Sequence, residues 1–278
     1  MIGLYYNPND CRSKNCIDNL KRLLKEKSLD FKEYVEDVTK TDADKLDLMI
    51  VFGGDGSVLR AAKIAGSKVP VVGINTGNLG FLSAYESAEA ELLVNDVVTG
   101  GLTFSERRFM SVKIANNKYL ALNDAVITKD YSNDDASECI KLLFKIDGQS
   151  VDAYVGDGLI VSTPTGSTAY AISAGGPIMV PDVCAYVAAP ICAHTLHSKP
   201  IVYPERSVAE VKVLSNSKDC ALYVDGKRVE TLKPGATVQI TAGDEFARIC
   251  NKSEKFFSRL SEKLNKWSNI DLLEVEHG

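Results

Sequence analysis

Apolar positions in the first hundred residues fall into short, nearly continuous runs at Ile2–Tyr6, Phe31–Val35, Leu46–Phe52 and Val69–Ile74. Between or after them lie stretches with helical spacing around Cys16–Glu26, Ser57–Ala65 and Glu89–Val98. Continuous apolar runs mark strands buried on both faces, and helices in the connections let such strands run parallel. The pattern predicts an α/β domain with a parallel sheet over residues 1–100.

After Gly100-Gly101 the runs change character. Met110–Ala115, Tyr119–Thr128, Ile140–Ile146, Gly158–Thr163, Ala185–Ala189, Val208–Leu214, Ala221–Val224, Thr237–Thr241 and Phe246–Cys250 read as strands. Asn116-Asn117, Asp147-Gly148, Asp225-Gly226 and Pro234-Gly235 supply turns between them. This predicts a β-rich, sandwich-like domain over residues 101–251. From Glu254 to Trp267, the residues Phe256, Phe257, Leu260, Leu264 and Trp267 recur at helical spacing with charges on the other side. Residues 252–278 are therefore expected to carry a C-terminal helix that returns to pack on the first domain.

Composition narrows the function classes. A chain of 278 residues with 45% hydrophobic content buries a substantial core, and its length fits one large domain or two ordinary ones. A net charge of −5 without a long basic cluster argues against a nucleic-acid partner. No apolar run is long enough to span a bilayer, and Met1–Tyr6 lacks the pattern of a signal peptide, so a cytoplasmic protein with no membrane partner is expected. Seven cysteines, an odd number without a CxxC pair, are expected to be reduced, with several in apolar strand-like runs packing as small hydrophobes.

Candidate chemistry lies in the polar segments that end the apolar runs. Gly53-Gly54-Asp55-Gly56 follows a strand and opens a helix, an arrangement whose backbone NH groups receive a phosphate. A plain strand-to-helix turn capped by Asp55 accounts for the tetrapeptide equally well. A carboxylate among phosphates repels them unless it holds a cation or accepts a proton, and phosphoryl transfer needs both services. GxxxxGK[ST] is absent and neither strand-end loop completes GxGxxG, so neither usual nucleotide fingerprint is present. Asn75-Thr76-Gly77-Asn78-Leu79-Gly80 follows the next strand and is expected at the same sheet edge, where ligands collect.

Asn123-Asp124 interrupts the apolar run Leu120–Ile127, and such a polar pair needs partners if buried; it suits a base edge and sugar hydroxyls. Thr163, Thr165, Ser167 and Thr168 crowd four hydroxyls into one loop, with Tyr170 as a flat platform. Helix capping by Ser167 explains one of the four. Cys192, His194 and His197 form a CxHxxH string, but no fourth zinc ligand is evident nearby. A Ser-His-Asp hydrolase is poorly supported because no GxSxG elbow occurs.

Gly53–Gly56, Asn75–Leu82, Asn123-Asp124 and Gly156–Pro177 together closely resemble the NAD kinase family, in order and spacing over nearly the whole chain. Ser162–Tyr170 with Ser173-Ala174-Gly175-Gly176-Pro177 is the most specific part, supported by His194-Thr195-Leu196, Phe256-Phe257 and Trp267. The resemblance implies ATP-dependent phosphorylation of the adenosine ribose 2′-hydroxyl of NAD, a site between an α/β and a β domain, and a homodimer or homotetramer. Asp55 is similar to the family's catalytic aspartate, with Gly56 beside the substrate and Arg60 near the dinucleotide phosphates. Asn123 and Asp124 match the pair that holds adenine and ribose, while Thr168, Ala169, Tyr170 and Ser173 match the adenine-side wall. Asp157 looks like the residue facing nicotinamide.

ATP with Mg²⁺, or another divalent cation, is implied on the side of Gly53, Gly54, Asn75, Thr76 and Gly77. The metal is expected to arrive with ATP, and polyphosphate is a possible substitute donor. Asp124 stands where many members have Glu, Lys227 where Gln is frequent, and the basic residues other members use are not evident at Asp134 or Val155. A lipid or sugar kinase of the same superfamily would share the Asp55 loop without needing an adenosine pocket. A noncatalytic NAD sensor would need Asn123 and Thr168 but not Asp55.

Overall fold

The computed structural model of the protein describes residues 1–35, 40–77, 80–130, 138–194, 197–251 and 256–263. The chain forms two compact units: Met1–Glu106 with the described residues from Phe246 onward, and Arg107–Glu245. No helix among the described residues is long and apolar enough to cross a membrane.

In the first unit β1 (Ile2–Tyr6), β2 (Phe31–Val35), β3 (Leu48–Phe52) and β4 (Val71–Asn75) form a parallel sheet in the order β2-β1-β3-β4. The connections carry α1 (Lys14–Glu26), α2 (Lys40–Ala43) and α3 (Asp55–Ala65). β5 (Ser83–Glu86) continues beside β4, and α4 (Ala90–Thr99) follows. All five residues of β3 and of β4 are buried, as expected for strands covered on both faces. Each large apolar side chain among them contributes roughly 1.5–3 kcal/mol. Leu20 and Leu24 of α1 and Leu93 of α4 join Leu4, Ile50 and Ile74 of the sheet in one core.

The second unit is a sandwich. One sheet is built from β7 (Asn117–Ala121), β6 (Phe104–Ile114), β17 (Thr237–Cys250), β14 (Ala209–Val213), β9 (Ile140–Ile146) and β10 (Gln149–Gly156) in that order. The other runs β13 (Ile201–Pro204), β12 (Ala185–Ile191), β11 (Gly158–Ser162), β8 (Asp124–Lys129), β15 (Cys220–Val224) and β16 (Lys227–Leu232), every pair antiparallel. Alternate residues such as Ile140, Leu142 and Phe144 meet Ala125, Ile127, Leu159 and Val161 in the shared core. The opposite face of the second sheet, including Val126 and Ile160, is covered by Ala171 and Met179. That double coverage explains why β11 reads as continuously apolar.

Several boundaries differ from the sequence expectation. The run Tyr119–Thr128 is two strands, because the chain leaves one sheet after Ala121 and joins the other at Asp124. Asn123 therefore lies at a corner rather than inside a strand. Thr237–Thr241 and Phe246–Cys250 are one strand, held through the polar middle by the Arg108 guanidinium donating to the Gly243 carbonyl at 3.0 Å. β10, β13 and β16 expose many of their residues and lack the strong alternation that would have marked them.

The C-terminal helix is present over 256–263; Leu264 and Trp267 lie outside the described residues, as do Asn78, Leu79, Asp134, Thr195 and Leu196. All seven cysteines are free thiols. Burial pushes those of Cys16 and Cys220 up to about 11 and about 12, consistent with packing rather than reactivity.

Candidate active site

The order β2-β1-β3-β4 reverses direction between β1 and β3, so loops leaving their C-terminal ends diverge and open a crevice. Gly53 ends β3 and donates its NH to the Ile74 carbonyl at 3.1 Å; Gly54 is extended at the helix cap. Asp55 begins α3, Gly56 follows it, and Arg60 is exposed one turn later. The Asp55 carboxylate does not cap its own helix. It accepts hydrogen bonds from the Phe81 NH at 2.8 Å and the Leu82 NH at 2.9 Å, charge-assisted contacts worth about 1.5–3 kcal/mol each. A side chain on Gly80 would overlap Asp55 Oδ1, so glycine at this position permits the close approach.

Asn75 is buried at the end of β4. Its Nδ2 donates to Glu86 Oε2 at 2.8 Å, and its Oδ1 accepts the Gly77 NH at 3.1 Å. The Thr76 hydroxyl is buried without a partner among the described residues. The guanidinium of Arg12, from the loop after β1, lies against Gly77 and is oriented by Asp10 through bonds of 2.8 and 3.1 Å. The Asp55 loop is thus brought together with Asn75–Gly77 and Gly80–Leu82 at one edge of the parallel sheet.

In the second unit the corner at Asn123 is organised by a residue outside the motifs. The Asp225 carboxylate accepts the NH groups of Leu122, Asn123 and Asp124 at 2.8, 2.7 and 3.0 Å. Asp225 occupies the turn between β15 and β16, with φ +47° and Gly226 at +75°. The sequence marks the turn; the folding back of its carboxylate is a tertiary contact spanning a hundred positions. Asn123 Oδ1 is buried with no partner among the described residues, and Asp124 is 5% exposed.

The hydroxyl-rich loop closes on the same corner. Thr163 NH donates to the Asn123 carbonyl at 2.8 Å, and its hydroxyl donates to the Leu122 carbonyl at 2.5 Å. Ser167 is fully buried; its hydroxyl donates to the Pro164 carbonyl at 2.7 Å and accepts the Met179 NH at 3.0 Å. Thr163 and Ser167 therefore hold the loop's shape. Ser167 is also not a helix cap, because its oxygen is already engaged. Thr165 and Thr168, in a 3₁₀ turn, remain partly exposed, followed by Ala169 and by Tyr170 and Ser173 of the short helix α5 (Tyr170–Ser173). Tyr170 is 47% exposed.

A side chain on Gly166 would overlap the Asn123 carbonyl. Gly166→Ala is therefore expected to lower stability by about 1–3 kcal/mol, measured as an earlier denaturant midpoint.

Asp157 is not beside Asn123. Register pairs Ser162 with Asp124 but Gly158 with Thr128, so Asp157 stands six residues, roughly 20 Å, away along β11. Its carboxylate meets Lys129 Nζ at 2.5 Å, a cation that lies outside the motifs because it belongs to β8. Lys227 is exposed after the Asp225 turn. The CxHxxH residues have other neighbours: His194 Nε2 lies 3.2 Å from Cys139 Sγ, and His197 4.0 Å from the Asp152 carboxylate. Among the described residues no group of three His, Cys, Asp or Glu side chains is placed to hold a metal.

Comparison with known proteins covers both units. Residues 2–102 match the ATP-NAD kinase N-terminal domain, and residues 122–251 match the ATP-NAD kinase C-terminal domain. The chain is 34% identical over 271 residues to the NAD kinase of Petrotoga mobilis, covering 95% of this chain and 97% of that protein. It is 35% identical over 274 residues to the NAD kinase of Aquifex aeolicus, covering 95% and 98%. In fold it is similar to yeast NADH kinase complexed with NADH, with TM-score 0.84, 21% identity and coverage of 95% and 87%. It is also similar to an NAD kinase from Archaeoglobus fulgidus in complex with ATP, with TM-score 0.78, 23% identity and coverage of 94% and 99%. Matching domains along most of its length and near-full-length relatives above 30% identity place this chain in the ATP-NAD kinase family.

Proposed function

We propose that the protein is an NAD kinase: it transfers the γ-phosphoryl group of ATP to the 2′-hydroxyl of the adenosine ribose of NAD, giving NADP and ADP. The observation that carries this reading is the match of both halves of the chain to ATP-NAD kinase domains. The geometry supports it with a carboxylate at the head of α3, held toward the loop that follows β4.

Asp55 accepts the proton of the ribose hydroxyl as the bond from that oxygen to the γ-phosphorus forms and the bond from phosphorus to the bridging oxygen of ADP breaks. Phosphoryl transfer leans chiefly on positioning and charge neutralisation. Asn123 Oδ1, buried and otherwise unsatisfied, accepts the exocyclic amine of adenine, and Asp124 takes a ribose hydroxyl. Thr168, Ala169, Tyr170 and Ser173 wall the adenine. Gly56 and Arg60 serve the dinucleotide, with Arg60 near its phosphates. Asp157 lies a strand length from Asn123, a span that suits the nicotinamide end of an extended dinucleotide. Gly53, Gly54, Asn75, Thr76 and Gly77 receive the donor phosphates.

Mg²⁺ typically binds through substrate phosphates and only one or two carboxylates. The residues present fit that manner of binding, with the Asp55 carboxylate at the glycine loop as the acidic group beside the donor phosphates in this reading. Bound there with ATP, the ion would neutralise phosphate charge. Polyphosphate offers the same chain of phosphoryl groups and is the alternative donor. A cytoplasmic homodimer or homotetramer completes the reading, its cytoplasmic part supported by seven free thiols.

The test is incubation of the protein with NAD, ATP and Mg²⁺, with NADP read by an NADP-specific dehydrogenase. NADP formation is expected, with NADH and polyphosphate tried as alternative acceptor and donor. Tight NAD binding without product would contradict the reading and mark a sensor.

A further inference from the structure

The glycine loops that receive phosphate in this reading, Gly53–Gly56 and Asn75–Gly77, contain no lysine or arginine. The C-terminal helix brings cations to their neighbourhood. Phe256 packs on Phe81 with ring centroids 5.9 Å apart. Arg259, 8% exposed, donates to the Ser83 carbonyl and lies 3.5 Å from the Gly80 carbonyl and 4.0 Å from Glu86 Oε1. One turn on, where residues four apart share a helix face, Lys263 places its ammonium 4.2 Å from the centroid of the Phe81 ring. The Phe81 NH is one of the two that hold Asp55, so a single residue carries the cation on its ring and the carboxylate on its amide.

We propose that Lys263 is a further catalytic residue of the phosphoryl-transfer site: its ammonium, stationed over Phe81 beside Asp55, neutralises the charge of the transferring phosphoryl group. Burial and the neighbouring Arg259 guanidinium hold the Lys263 pKa below the usual lysine value, and the Asp55 carboxylate opposes that shift only in part; an incoming phosphate anion adds to the side that favours the charged ammonium. Lys263 gives up no proton in the reaction. The ribose proton passes to Asp55, the new oxygen–phosphorus bond forms on the ribose, and ADP leaves with the electrons of the bond that breaks. The aromatic face under the ammonium restricts its position without replacing its charge, leaving its NH donors available to a phosphate oxygen. Arg259 acts differently: it clamps the carbonyls on either side of the Phe81–Leu82 segment and so positions the amides that orient Asp55. The inference rests on the reading of Asp55 as the acceptor of the ribose proton.

Lys263→Met and Lys263→Arg in the full chain test it, with kcat, the KM for NAD, calorimetric NAD binding and melting temperature measured together. The Met variant is expected to lose about 10²-fold in kcat, the scale for removing one group that stabilises transition-state charge, with the KM for NAD and NAD binding little changed. The Arg variant is expected to recover most of the loss, because it restores the charge. A Met variant within about threefold of wild type in kcat overturns the assignment. So does an Arg variant as impaired as Met with an equally lowered melting temperature, which reveals a packing role. If wild type forms NADP and only this assignment fails, the function stands; if wild type forms none, both fall.

Discussion

Asp55→Asn is expected to leave the protein folded and able to bind NAD while lowering kcat about 10²- to 10⁴-fold, the contribution typical of a positioned general base. Asparagine retains the size of aspartate and one oxygen to accept an amide. Its nitrogen cannot accept the second NH, so of the bonds to Phe81 and Leu82 only one survives. A small loss of stability therefore accompanies the kinetic loss, and calorimetric NAD binding separates the two. A decrease in kcat below about tenfold removes Asp55 from the role of base.

Asp225→Ala is expected to be the most damaging change outside the recognised motifs. Three backbone NH groups at Leu122, Asn123 and Asp124 lose their shared carboxylate acceptor, and the chain's passage from one sheet to the other loses its organiser. Unsatisfied buried donors make a destabilisation of about 3 kcal/mol the expected scale. For a protein of this size that lowers the melting temperature by about 6–12 °C. Because the Asn123 carbonyl also receives the Thr163 NH, the adenosine wall shifts with the corner and the KM for NAD rises. A melting temperature within about 2 °C of wild type, with an unchanged KM, would contradict this account of the corner.

The parallel sheet was legible because β3 and β4 are buried on both faces and so leave continuous apolar runs. The edge strands β10 and β16 were not, because one face and most of the ends meet solvent and the alternation fades. The corner at Asn123 was hidden for a different reason: apolar residues continue through Leu120–Ile127 while the chain changes sheets beneath them.

Among candidate site residues, those in glycine-rich loops announced themselves through local chemistry. Lys129, Arg259 and Lys263 did not, and Asp225-Gly226 announced only a turn, since each side chain acts on a partner far along the chain. Hydroxyl density is ambiguous for a related reason. Sequence cannot distinguish a hydroxyl facing a ligand from one such as Ser167, spent on the loop's own backbone.

The most direct test of the central claim is the position of the transferred phosphate after incubation with NAD, Mg²⁺ and ATP labelled at the γ-phosphorus. Wild type should carry the label on the 2′-oxygen of the adenosine ribose, with NAD lacking that hydroxyl left unlabelled. Label on any other oxygen, or transfer to the 2′-deoxy analogue, would contradict the account.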